Sequence, residues 1–305
     1  MTSLSPEHDG HHGHHGHHGH QHHDNAGGFD EPDMAELLDL DAEVLHAHLT
    51  DVTAWLATSA ESAGDIPVRR LLDLGSGTGT GTLALLQRFP DAEAVAVDAS
   101  APLLHRLRDK AQAQGVAERV RTVQADLDEA WPDFGDVDLV WTSAALHHMA
   151  DPDSALREVF AALRPGGLLA VVEMEGFPRF LPDDLGIGEP GLEARLHELT
   201  SHEHAERVPH LGADWGPRLT AAGFTVESER RFAVDLLPPL PAATGRYAQA
   251  MLRRLRDALA DRLGADDRSV LDTLLDSDGP DSVTRRGDLT VRTERPAWLV
   301  RRPTV

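Results

Sequence analysis

The stretch DLGSGTGTGT, beginning at Asp73, places glycines at 75, 77, 79 and 81 directly behind an apolar run. Glycine has no Cβ, so it accepts positive φ and lets a ligand lie against bare main chain. The periodicity of Thr80–Phe89 predicts a helix, whose first unpaired N–H groups make an electropositive end suited to a carboxylate or phosphate. Such a turn is either a cofactor seat or merely a tight corner. The other reactive types are histidines and carboxylates. His147 and His148 follow a later apolar run, and Glu173 closes the one after it. Imidazole titrates near neutrality and suits general-base work. Equally, the two rings could orient the next turn, and Glu173 could anchor a loop. His202 and His204 lie in a charged helical stretch and face either a substrate or solvent. Adjacent histidines share no helix face, nor do His46 and His48, two apart, so no metal site is expected in the core.

The elements that position these residues alternate. Short apolar strands are predicted at Val68–Leu74, in AEAVAVDAS up to Asp98, in RVRTVQADL, in DVDLVWTSA and in LLAVVEM, with helices between them. One of these helices, Asp153–Leu163, is stopped by Pro165-Gly166-Gly167, which bound the fifth strand upstream. Two further strands follow, FTVESERRFAVDL and DLTVRTERPAWLVRR, with Pro296 at an edge or bulge. This is an α/β pattern: a doubly wound, mostly parallel seven-stranded sheet with helices on both faces. In such sheets ligands bind beyond the carboxyl ends of the strands, near the switch in strand order.

Neither register of the glycines fits the dinucleotide fingerprint, because the third position falls on Thr80 or Thr82, and a Walker loop would need a lysine. What remains is D-x-G-x-G-x-G, Asp73 to Gly79, which resembles the first motif of class I S-adenosylmethionine-dependent methyltransferases. QADLDE, ALHHM and LRPGGLLAVVE continue that resemblance in order. It covers about Val68 to Glu173 and is nearest to small-molecule enzymes of the quinone-biosynthesis type. It implies an S-adenosyl-L-methionine cofactor held by Asp73, Gly75, Ser76, Gly77, Gly79, Asp98, Ala99, Asp126, Leu127 and Thr142. Asp98 would take the ribose hydroxyls, Asp126 the adenine amino group, and Leu127 the face of the ring. It also implies in-line methyl transfer to a small-molecule acceptor, with His147, His148 and Glu173 as the catalytic candidates. Two other readings stay open: an inactive cofactor-binding regulator, and an NAD(P)-dependent oxidoreductase on a similar sheet.

Around this core the chain divides further. Residues 1–28 carry His11, His12, His14, His15, His17 and His18 among glycines, with too little apolar content to order the chain. Neutral imidazoles there could bind a transition metal weakly. Residues 33–64 read as one amphipathic helical cap, with Leu38, Ala42, Leu45, Leu49, Val52 and Leu56 on one face. The cofactor-binding Rossmann-like core is 65–174, a substrate lid and sixth strand 175–245, and C-terminal helices with the final strand 246–305. The helices expected there include Leu192–Glu206, Ala213–Ala222 and Arg246–Leu263.

A net charge of −23 over 305 residues disfavours nucleic acid and acidic membranes as partners. No run of apolar residues is long enough to span a bilayer, and no signal peptide is apparent. Zero cysteines exclude disulfides and thiolate chemistry, which fits a cytoplasmic protein. Lys110 is the single lysine among 28 basic residues, a bias that reads as coding rather than functional. If Asp98 grips the ribose, Asp98→Ala weakens S-adenosylmethionine binding at least tenfold by calorimetry; unchanged affinity removes that role from it.

Overall fold

Alternating strands and helices assemble in the computed structural model as that pattern requires; residues 31–62 and 67–304 are described. The histidine-rich segment and its candidate metal ligands lie outside them. In chain order the elements are α1 (Glu31–Val44), α2 (His46–Ser62), β1 (Arg70–Leu74), α3 (Thr80–Arg88), β2 (Glu93–Asp98), α4 (Ala101–Ala113), β3 (Val120–Gln124) and β4 (Val137–Ser143). They continue with α5 (Pro152–Ala162), β5 (Leu163–Val172), α6 (Leu192–Arg207), α7 (Gly216–Ala221), β6 (Thr225–Leu236), α8 (Thr244–Ala258), α9 (Ala265–Leu275) and β7 (Val291–Arg301).

The seven strands form one sheet in the order β3-β2-β1-β4-β5-β7-β6. The first five pair in parallel, whereas β7 runs antiparallel to both β5 and β6. The chain leaves β1 toward β2 and β3, then returns to β4 on β1's other side. The switch in order, and with it the ligand crevice, therefore lies between the exits of β1 and β4. Local signals place the helices that follow. Ser100 Oγ accepts from Leu103 N at 3.3 Å to start α4, and Asp151 Oδ1 accepts from Ser154 N at 2.9 Å to start α5.

Each face of the sheet has its own core. On one, Leu72, Leu74, Val140, Val171 and Trp298 pack with Leu156 and Val159 of α5 and Leu219 of α7. On the other, Leu71, Leu139, Trp141 and Ala170 pack with Trp55 and Leu56 of α2 and Leu85 and Leu86 of α3. A third core joins Leu37, Leu40 and Val44 of α1 with Leu192 and Leu196 of α6, Tyr247, Met251 and Leu252 of α8, and Leu271 and Leu274 of α9. β6 is an edge strand carrying Glu227, Glu229, Arg230 and Arg231, charges that discourage pairing with another chain.

Four expectations are corrected. The single N-terminal helix is two, broken at Leu45, and the break shifts the apolar phase: Leu37, Leu40 and Val44 are buried, while Leu38 and Ala42 are only partly so. Pro165-Gly166-Gly167 lies inside β5 and not before it, taken up by a register shift against β4 between Val137 and Leu139. The helix expected from Ala213 starts only at Gly216, where Asp214 Oδ1 accepts the Gly216 N–H at 3.0 Å. Pro296 is at neither an edge nor a bulge; β7 is interior. Its carbonyl accepts from Glu173 N at 2.9 Å, so the position lacking an N–H faces the end of β5 and no bond to β6 is lost.

The glycines also acquire separate reasons. A Cβ on Gly79, where φ is +81°, would stand 2.2 Å from Leu107 Cγ of α4; one on Gly81 would stand 2.7 Å from Trp141 Nε1 of β4. These two are required by close packing of the protein on itself. Gly79→Ala is therefore expected to cost roughly 2–4 kcal/mol in urea unfolding, from strain plus overpacking. Adding Leu107→Ala restores part of the loss if the side-chain clash is its source.

Candidate active site

The exits of β1 and β4 meet at Gly75. Its φ is +67°, and a Cβ there would lie 2.5 Å from Ala145 Cβ, so the two loops touch without an intervening side chain. Ala144, just before, holds φ +52°, a left-handed conformation that a non-glycine residue adopts at a cost, and its N–H donates to Val172 O at 2.8 Å. The turn is then tied across to β2. Ser76 N donates to Val97 O at 2.9 Å, and Gly77 N donates to Asp98 Oδ2 at 2.8 Å. Asp98 Oδ1 accepts from Ser100 N at 2.9 Å. Each carboxylate oxygen has a second lone pair, so Asp98 both shapes the turn and keeps acceptor capacity beside it.

Asp73 does not face this crevice. It is 2% exposed and accepts the hydroxyl hydrogen of Thr82, which fastens the start of α3 to β1. Ala99 is exposed, and its carbonyl accepts from Gln124 Nε2 at 3.1 Å. Asp126 is exposed, with Oδ1 accepting from Asp128 N at 3.0 Å, while Leu127 packs partly buried against the α5 face of the sheet. Ser76 Oγ and Thr142 Oγ1 are buried hydroxyls without a hydrogen-bond partner, one at the exit of β1 and one at the end of β4. Buried polar groups are nearly always satisfied. Two orphans flanking the switch point, beside bare main chain and a carboxylate, fit a polar cofactor with amino, carboxyl and hydroxyl groups.

Beyond β4, Leu146–His148 forms one 3-10 turn. His147 is buried, and its Nδ1 lies 2.5 Å from Glu173 Oε2; Oε1 of the same carboxylate accepts from Leu146 N at 2.9 Å. Adjacency in sequence does not give His147 and His148 the same surroundings. His148 is exposed, its ring tilted against that of His147 at 4.1 Å between centroids. The side chains of His202 and His204 lie outside those described.

Asp39, a residue with no motif around it, also reaches this region. Asp39 of α1 accepts from Thr78 Oγ1 at 2.7 Å and binds Arg106 and Lys110 of α4. Burial raises its carboxyl, but Lys110, Thr78 and Arg106 outweigh burial and hold it below the usual range. Asp41 accepts from Tyr247 Oη at 2.5 Å and from Arg295 at 3.1 Å. Burial, then Arg295, lower His48 to about 4, so it is neutral near pH 7. His210, in the segment before α7, is likewise lowered, by burial and then Arg218, with His147 among its electrostatic neighbours. Among the described residues no cluster of three or more His, Cys, Asp or Glu is placed to hold a metal ion, and no helix is long and apolar enough to cross a membrane.

Residues 71–167 match the family model described as a methyltransferase domain. The chain is 37% identical over 194 residues to a demethylmenaquinone methyltransferase of Thermus thermophilus, covering 63% of this chain and 80% of that protein. It is 39% identical over 179 residues to a malonyl-[acyl-carrier protein] O-methyltransferase of Laribacter hongkongensis, covering 57% of this chain and 56% of that one. The fold is shared with a putative methyltransferase from Bacillus halodurans, TM-score 0.50 and 20% identity, covering 82% of this chain and 99% of that one. The family match, the first relative and the shared fold together place the chain in the Rossmann-like methyltransferase class. The chain belongs to the class I S-adenosylmethionine-dependent methyltransferases, and S-adenosylmethionine is its methyl donor. Neither the oxidoreductase nor the inactive-regulator reading finds support.

Burial raises Asp73 from 3.8 to about 7, the Thr82 hydrogen bond opposing this and the charge of Asp98 adding to it. Between those two values the folded state holds a proton that the unfolded chain has released, so this group's contribution to stability falls as pH rises. Asp73→Asn removes the titration. The variant therefore gains on the wild type by about 1 kcal/mol or more between pH 4.5 and 7.5 in denaturant unfolding. A pH-independent difference would show that Asp73 does not hold that proton.

Proposed function

We propose that the methyl acceptor is a small molecule that enters between the strand ends and the helical layer of α1, α6 and α8, and that His147, oriented by Glu173, takes the proton it loses. Demethylmenaquinone, the acceptor named for the first relative, supports this class, while the second relative is named for malonyl-[acyl-carrier protein]. The observation that carries the reading is the contact of His147 Nδ1 with Glu173 Oε2 at 2.5 Å, with both side chains buried.

Bound at the glycine turn, S-adenosylmethionine supplies a methyl carbon made electrophilic by its sulfonium. Ser76, Gly77, Asp98 and Thr142 then have the donor and acceptor capacity to orient it. Alignment of a nucleophile behind such a carbon is worth up to about 7–11 kcal/mol without any catalytic side chain. A base adds to this when the nucleophile carries a proton. Glu173 is fixed through both oxygens, and its hold on Nδ1 selects the tautomer in which the lone pair is on Nε2. His147 thus accepts a proton at Nε2, and the imidazolium that results is stabilised by the adjoining carboxylate.

The Leu146 N–H on the same carboxylate favours a second role, anchoring the turn, and the two separate by measurement. His147→Gln and Glu173→Gln are expected to lower kcat by roughly 10²–10³-fold and to abolish the acidic limb of the pH–rate profile, with S-adenosylhomocysteine affinity within about twofold. Anchoring alone would weaken cofactor affinity and leave the limb in place. The acceptor is found by screening metabolites for S-adenosylhomocysteine release.

A further inference from the structure

The lone lysine is not randomly placed. Lys110 Nζ donates to Asp39 Oδ1 and, at 2.9 Å, to Thr78 Oγ1, which itself donates to Asp39 at 2.7 Å. Arg106 meets the other oxygen of Asp39 at 2.5 Å. Three elements thereby converge on one carboxylate: α1, α4 and the glycine turn. The neighbour of Asp39, Leu38, lies with Cδ1 only 3.1 Å from where a Gly77 Cβ would stand. Of the four turn glycines, Gly77 is the one covered by α1, through Leu38. Gly77 N is also the group bonded to Asp98.

The opposite face of α1 is held differently. Leu37, Leu40 and Val44 are embedded in the helical core, and Asp41 is gripped by Tyr247 and by Arg295, whose side chain is 8% exposed. The cations that hold Asp39 are wetter than the one that holds Asp41, at 28% exposed for Lys110 and 47% for Arg106 against 8% for Arg295, while the carboxylates themselves are 22% exposed for Asp39 and 36% for Asp41. Water competes more for the exposed Lys110 and Arg106 than for the buried Tyr247 and Arg295, so the first set of partners lets go more readily.

We propose that Asp39 is a positioning residue of the methyl-transfer site: clasped by Lys110, Arg106 and Thr78, it lays Leu38 of α1 on Gly77, and cofactor entry and release require this contact to open. The helix that seals the cofactor is also a wall of the helical layer, so cofactor occupancy and the acceptor space are coupled through one rigid element.

The test uses the full chain and S-adenosylhomocysteine. In stopped-flow binding the wild-type association rate should saturate with ligand concentration, limited by opening, and Asp39→Asn should release the ligand about tenfold faster or more. Lys110→Met should do the same, with the double variant no worse than either single one. A second readout needs no variant to fold. Because Lys110 is the only lysine, reductive methylation read by mass spectrometry reports it against the N-terminal amine alone, and bound S-adenosylhomocysteine should slow its labelling several-fold. Linear wild-type association with unchanged release in Asp39→Asn, or Lys110 labelling that ignores the ligand, overturns the clasp. Failure of the wild type to bind S-adenosylhomocysteine at all would overturn the cofactor itself and the clasp with it.

Discussion

Main chain and not side chain governs this molecule where β1 ends. The loops after β1 and β4 approach so closely that a methyl group on Gly75 would meet Ala145 at 2.5 Å. Everything else at the site answers to that approach. Ala144 accepts a left-handed backbone to make it, Asp73 is buried under it with a raised pKa, and Asp98 reaches over from β2 to bond the turn's own N–H. The strand order switches there because the chain reverses its direction of travel across the sheet between these two strands, the place where such sheets take their ligands. The turn is thus both a packing joint and the floor of the site.

From the amino acids alone, the doubly wound, mostly parallel seven-stranded sheet was legible, because apolar strands that alternate with amphipathic helices admit few topologies. Asp98, His147 and Glu173 were expected at strand ends, and the fold places them at or just past the ends of β2, β4 and β5. The reasons for individual glycines were hidden: Gly79 faces Leu107 and Gly81 faces Trp141, contacts between segments far apart in the chain. The N-terminal stripe was misphased in α1, at Leu38 and Ala42, for a similar reason, while Leu45, Val52 and Leu56 are buried as it required. A single turn at Leu45 re-aims the helix, and no local propensity marks it. Asp39 was invisible because one acidic residue among 51 carries no signal until α4 is folded beside it.

His147 and His148 show how far a motif reaches. The pair is easily seen, yet only the fold distinguishes a buried ring pinned by a buried carboxylate from the more exposed ring tilted against it. Conversely Lys110, which composition presents as an accident, sits at a junction of three elements. Counting residue types locates chemistry only when the residues are collected by one turn, as the glycines are.

The place of β7 in the sheet bears on how the molecule is made. β5, which ends at Val172, finds its second neighbour only when Val291–Arg301 arrives, after four helices and the strand that will become the rim. While a ribosome extends the chain through that interval, the backbone amides and carbonyls along one side of β5 stand open to any extended peptide nearby. Pairings this distant in sequence slow the search for the native arrangement. A sheared nascent chain ending before Val291 would expose that sticky border for good, making it a client for holdase chaperones and proteases.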